Sequence, residues 1–170
     1  MKTNNLLLRS LMALVALLGC MSASAYDFYA ENEQGQKIYC TVMDATANTV
    51  WVSCVGNDGS VYSQYTDLVI PSTVVRSSNN TTYTVVGIGS NAFKNARCYS
   101  ITLPNTIVSI LPYAFNNCIY LTSLTIPENV TSIGYELVVG CTKLEKLYYN
   151  AIHANPSQNT NVFRFLPIAK

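Results

Sequence analysis

The chain repeats itself. Ile88, Ile110 and Ile133 follow one another at steps of 22 and 23 residues, as do Phe93, Phe115 and Val138, while Ile101, Leu124 and Leu147 keep a step of 23. A period of this length constrains the fold more than any local propensity, because each unit is one supersecondary piece that cannot bury its apolar side alone. Within a unit, Ser123-Leu124-Thr125-Ile126 alternates, so Leu124 and Ile126 point to one side and Ser123 and Thr125 to the other. The proline that follows, Pro127, has no N–H to give a ladder and ends the strand. Val130 and Ile133 then predict a second short extended piece. The segment G-x-x-A-F-x-x-C-x-x-L has apolar residues three and four apart, which predicts one or two helical turns. Stacking such units in register, with strands about 4.8 Å apart, buries the apolar side and predicts a β-rich solenoid.

The rest of the chain is read around these units. Leu68-Val69-Ile70-Pro71 matches Leu124-Thr125-Ile126-Pro127 and forms a half-repeat; the polar insertion after it, centred on Asn79 and Asn80, reads as a protruding hairpin. Upstream, KIYCTVM and TVWVSCVG are two strand candidates, and residues 26–66 read as a β-meander closing one end of the stack. If those strands fold back near Ala47, Cys40 lies opposite Cys54. The repeats occupy 67–150, and 151–170 form a C-terminal cap or tail in which Phe163, Phe165, Leu166 and Ile168 could cover the last unit.

The register I-G-x-x-A-F-x-x-C-x-x-L-x-x-L-x-I-P-x-x-V-x-x-I resembles the BspA-like leucine-rich repeat of secreted and surface proteins of host-associated bacteria. The segment YDFYAENEQGQKIYC, followed by LVIPSTV, a polar hairpin and TVVGIGSNAF, is similar to the usual opening of that family. The resemblance covers about residues 26–150 and implies a leucine-rich repeat solenoid used in adhesion or protein binding, with no known enzymatic activity. Unit one departs from the pattern with Ala96 in place of cysteine, and unit three reads GYELVVGC without the Ala-Phe pair.

Residues 1–25 are a separate object. Lys2 and Arg9 precede the apolar run LMALVALLGCM and the small residues SASA, as in a secretory signal peptide. Two processing signals compete: Ala23-Ser24-Ala25 favours cleavage before Tyr26, and LLGC resembles a lipobox that would lipidate Cys20. The reading is therefore a secreted or cell-surface protein. A lipid at Cys20 would be its one link to a membrane. A formal charge of +1, without a run of Lys or Arg, gives no electrostatic footprint for nucleic acid or an anionic membrane.

Catalytic and metal chemistry find little support. Cys118 and Cys141 share a register position with Ala96, so the position calls for a small buried residue rather than a reactive thiol. The extracytoplasmic setting makes Cys40 with Cys54 the candidate disulfide, and Cys98, off the register, the thiol to test. His153 is the one histidine and has no partner at motif spacing. Asp27, Asp44, Asp58 and Asp67 are scattered, and Gly87 and Gly89 belong to a repeat turn; no cofactor or metal motif is visible.

What remains is surface. The outward strand positions are Ser100 and Thr102, Ser123 and Thr125, Lys146 and Tyr148, and Tyr113 and Tyr120 occupy places the repeat core does not need. Tyrosine gives large contact area with a polar tip, as in many binding patches. These residues are the candidate contacts with a host or neighbouring-cell protein or glycan. The alternative from another class is a lipid-anchored structural or assembly component of the envelope.

Overall fold

The computed structural model describes residues 26–151. The export signals, Cys20, His153 and the apolar residues from Phe163 to Ile168 lie outside that range. Eleven strands and one 3-10 helix follow in order: β1 (Phe28–Glu31), β2 (Lys37–Asp44), β3 (Thr49–Val52), the 3-10 helix (Gly59–Gln64), β4 (Asp67–Val69), β5 (Thr73–Arg76), β6 (Thr81–Ile88), β7 (Ser100–Thr102), β8 (Ser109–Ile110), β9 (Ser123–Ile126), β10 (Ser132–Ile133) and β11 (Lys146–Tyr149).

The period becomes two parallel ladders. One sheet runs β11-β9-β7-β4, and the other runs β1-β2-β3-β6-β8-β10, with β5 paired to β6. In the first, Asp67 stands beside Ser100, Ser100 beside Ser123 and Ser123 beside Lys146, so equivalent residues form columns. Leu124 and Ile126 are buried while Thr125 is exposed, as the alternation predicts. The polar insertion is the antiparallel hairpin β5–β6, with Arg76 opposite Thr81.

Between β6 and β7, and again between β8 and β9, the chain runs through a segment of turns that also links neighbouring units. Lys94 N–H and Ala96 N–H close turns within their own unit on Asn91 O and Phe93 O, at 3.0 and 2.9 Å. Their odd-numbered neighbours reach the next unit: Phe93 N–H donates to Ala114 O at 2.8 Å and Asn95 N–H to Asn116 O at 2.9 Å. One unit later, Phe115 donates to Leu137 O and Asn117 to Val139 O. The backbone donors of a buried segment are thereby satisfied without a regular helix. The geometry requires left-handed residues at two columns, Asn91/Tyr113/Glu136 and Asn95/Asn117/Gly140. Asparagine and glycine tolerate that region; tyrosine does so at a cost.

A column of rings fills the interior behind these turns. Tyr39, Tyr62, Phe93 and Phe115 follow at centroid distances of 5.8, 5.1 and 5.3 Å, and Val138 takes the next place. Tyr62 lies in the 3-10 helix, and β3 already pairs in parallel with β6. Parallel stacking therefore begins upstream of Leu68, at β3, and β3 is also the last strand of the antiparallel set β1–β2–β3. The outer edge of β4 is covered by side-chain amides. Gln36 donates to Asp67 O at 2.6 Å and accepts from Val69 N–H at 3.0 Å, in the manner of a missing strand, and Asn32 donates to Val69 O.

The pairing of β2 with β3 differs in register from the one that sets Cys40 opposite Cys54. Cys40 stands opposite Val52, with a register shift between Val42 and Asp44. Cys54 lies beyond the end of β3, and both side chains are buried. A one-residue bulge and a turn centred one half-step before Ala47 together set Cys54 two residues out of register with Cys40.

Candidate interaction surface

The outward side of the four-stranded sheet carries the six strand residues singled out from the sequence. Ser100 and Ser123 are half-buried, Thr102, Thr125 and Lys146 are exposed, and Tyr148 is 51% exposed. Asp67 heads the column, and Ser100 Oγ donates to its Oδ1 at 2.5 Å. The surface is a low, hydroxyl-bearing face with one cation and one large ring at the β11 side. It offers hydrogen bonds and contact area, with no enclosed group of reacting side chains.

The two tyrosines fall at opposite ends of the turn segment. Tyr120, at the end leading into β9, lies 5.5 Å from the ring of Tyr99 in the preceding unit, and Lys143 Nζ of the following unit sits 4.8 Å from its centroid. This row adjoins the strand face. Tyr113, at the end leading out of β8, is left-handed with φ 61 and packs edge-on against Tyr135 at 5.2 Å. Tyr120 therefore joins the six strand residues, and Tyr113 belongs to another corner. Sequence reading missed Tyr99. Unit one is one residue shorter than unit two between its phenylalanine and its strand serine, which shifts Tyr99 by one place, and only the pairing of Ser100 with Ser123 restores the register.

The thiols are core. Cys98, Cys118 and Cys141 donate to the carbonyls of Tyr62, Phe93 and Phe115, each one unit back, at 3.3, 3.0 and 3.0 Å. Cys98 thus makes the bond to its neighbouring unit that Cys118 and Cys141 make from a position two residues earlier in the register. Burial pushes the Cys98 thiol up to about 11 and the Cys40 thiol up to about 12. Cys118 is raised by its contact with the Cys141 thiol and by burial. A thiol held protonated and bonded inside the stack is a poor nucleophile. Among the described residues, no group of three or more His, Cys, Asp or Glu comes together to hold a metal, and no helix is long and apolar enough to cross a membrane.

Residues 86–164 match the sequence model of the BspA type leucine rich repeat region (6 copies). That region is a BspA-type leucine-rich repeat array. The match continues 13 residues past Ala151, the last residue described. Solved structures similar to this chain include the pneumococcal vaccine antigen PcpA, at 12% identity and a TM-score of 0.47, covering 76% of this chain and 39% of that one. A leucine-rich repeat protein from Bacteroides capillosus gives 18% identity and a TM-score of 0.44, with 66% and 93% covered. One from Bacteroides ovatus gives 20% and 0.40, with 75% and 44% covered. The chain thus spans well under half the length of the pneumococcal antigen. No curated protein sequence matches it.

Proposed function

We propose that the protein is an exported, non-catalytic binding module: a short solenoid of leucine-rich repeats, closed at one end by the β1–β3 meander, that docks a protein or glycan on the outward face of β4, β7, β9 and β11. The observation that carries the reading is the face itself. Its residues are in register, Ser100 beside Ser123 and Ser123 beside Lys146, and the side chains pointing out of it contribute nothing to the core. Conserving a hydroxyl column across units is of use to a partner that lies across the units. The reading as a non-enzyme rests on the thiols, which are buried and bonded to carbonyls, and on tyrosines and hydroxyls arrayed on an open surface.

The test is binding of the exported protein to extracellular-matrix proteins and to a glycan array, compared with Thr125→Glu and Tyr148→Ala. Both residues are exposed, so the variants keep the fold. Loss of binding in both is expected, and unchanged binding in both removes this face from the proposal. The mass of the exported product reports export and anchoring together. A polypeptide beginning at Tyr26 fits the secreted reading, whereas a diacyl or triacyl mass on Cys20 makes the protein an anchored envelope component.

A further inference from the structure

We infer that the corner between the turn segment and the strand face is a docking site for an anionic polysaccharide, an inference that rests on reading the protein as a binding module. The charges are dispersed in the sequence and gathered by the fold. Lys94, Arg97, Lys143 and Lys146 are four of the six Lys and Arg between residues 26 and 151, the others being Lys37 and Arg76. All four sit on the turn segments and the strands that follow them. Of the nine Asp and Glu in the chain, Glu145 alone lies between residues 92 and 102, 114 and 125, or 137 and 148. Asp67 borders the patch but is held by Ser100, and Asp58 accepts from Asn95 and from Ser60 N–H. Arg97 and Lys143 are two units apart, so the period that builds the core also stacks cations along one corner.

Rings run between those cations. Tyr99, 47% exposed, leans on Tyr120, and Lys143 lies over the Tyr120 ring. Beside this row are the hydroxyls of Thr122, Ser123 and Thr125, with Thr122 Oγ1 bonded to Tyr99 O. Ring faces suit the C–H faces of sugars, hydroxyls suit sugar hydroxyls, and cations recurring along the stack suit a polymer whose carboxylates or sulfates recur along its length. An acidic peptide would use the cations and leave the ring-and-hydroxyl row without a matching partner. The polysaccharide uses all three.

The test runs the exported protein over immobilised heparin, polygalacturonate, poly-glutamate and dextran with a salt gradient. Retention on heparin or polygalacturonate, release by salt and passage through dextran are expected. Arg97→Glu with Lys143→Glu should pass straight through, and Tyr120→Ala should bind about tenfold more weakly, the loss of one stacking contact. Lys37→Glu, remote from the corner, should elute with the parent. Arg97→Gln with Lys143→Gln repeats the test without new repulsion. Retention of both double variants, equal retention on dextran, or equal retention on poly-glutamate overturns the inference. If the parent ignores both polysaccharides yet still binds a matrix protein through Thr125 and Tyr148, this inference falls and the binding-module reading stands; if neither surface binds anything, both fall.

Discussion

At one end of the turn segment Tyr113 packs edge-on against Tyr135, and at the other Tyr99 leans on Tyr120, with ring centroids 5.2 and 5.5 Å apart. Each pair joins rings from neighbouring units across the same stack. Their surroundings differ. The Tyr113 phenol is pushed up by desolvation and then by Glu136 and Tyr135, so that corner is acidic, and its backbone is left-handed at Tyr113 and Glu136. The Tyr120 corner has Lys143 over its ring, Arg97 one unit back on the preceding turn segment, and no left-handed tyrosine. A repeat can thus place the same aromatic contact at two corners and let charge decide which one suits an anionic partner. The acidic corner also carries backbone strain that the basic corner does not.

The largest effect comes from removing what both corners hang on. Phe115 is fully buried between Phe93 and Val138, and its backbone bonds units two and three. Phe115→Ala should cost about 3–5 kcal/mol, and the comparison between corners should vanish with the stack. Denaturant unfolding checks it; a loss below about 1 kcal/mol would mean that the ring column does not organise the turns. A smaller loss is expected at Gly134, where an added Cβ would meet Pro112 N at 2.2 Å. The neighbour is backbone and cannot step aside, so Gly134→Ala should cost about 1–3 kcal/mol and loosen the Tyr113 corner first. Gly35 has open space for a Cβ but holds φ 71, so Gly35→Ala should cost only the left-handed backbone penalty of about 1 kcal/mol and leave the Tyr113 corner unchanged.

Alkaline pH acts on the core beneath both corners. The Cys98 thiol is raised from its ordinary 9.0 to about 11 and Cys40 to about 12, both by desolvation. Above pH 9 the unfolded chain loses these protons while the folded chain keeps them, so the folded state binds more protons and stability falls as pH rises. The melting temperature should hold to about pH 8.5 and decline from pH 9 towards 11, more steeply in the parent than in Cys98→Ala. Native-state labelling at pH 8 should be slow for Cys40, Cys98 and Cys118 alike. Rapid labelling of Cys118 would show that the stack opens at the turn segment.

The units themselves were legible in the sequence because burial enforces a period: Leu124 and Ile126 face in, Thr125 faces out, and proline stops the strand. The insertion between β5 and β6 was legible for the same reason, as polarity interrupted the pattern. Three things were not. The turn segment has spacings of three and four that suit a helix, but its donors alternate between their own unit and the next, and only stacking reveals that. Stacking that starts at β3 was hidden because Tyr62 replaces phenylalanine and the hairpin β5–β6 separates Val52 from its partner Ile88. The register of Cys40 depended on the place of the turn and on a one-residue bulge, neither of which residue alternation encodes. On the candidate surface, the strand hydroxyls could be read one unit at a time; the cation row could not, since Arg97 and Lys143 fall two units apart along the stack.

The difference in strain between the corners gives the smallest effect and the sharpest test. Tyr113 holds φ 61 where units one and three have Asn91 at 56 and Glu136 at 52. A bulky side chain in that region costs about 1–2 kcal/mol, and the ring contact with Tyr135 returns about 0.5–1.5 kcal/mol, so Tyr113→Asn alone should change stability little. Removing the partner first separates the two. In a Tyr135→Ala background the contact is gone, only the backbone cost remains, and Tyr113→Asn should then stabilise the protein by about 1 kcal/mol. The same cycle at the basic corner, Tyr120→Asn in a Tyr99→Ala background, should give no gain, because Tyr120 is not left-handed. Equal outcomes at the two corners would mean that the left-handed column is relaxed around tyrosine, and that the corners differ in charge alone.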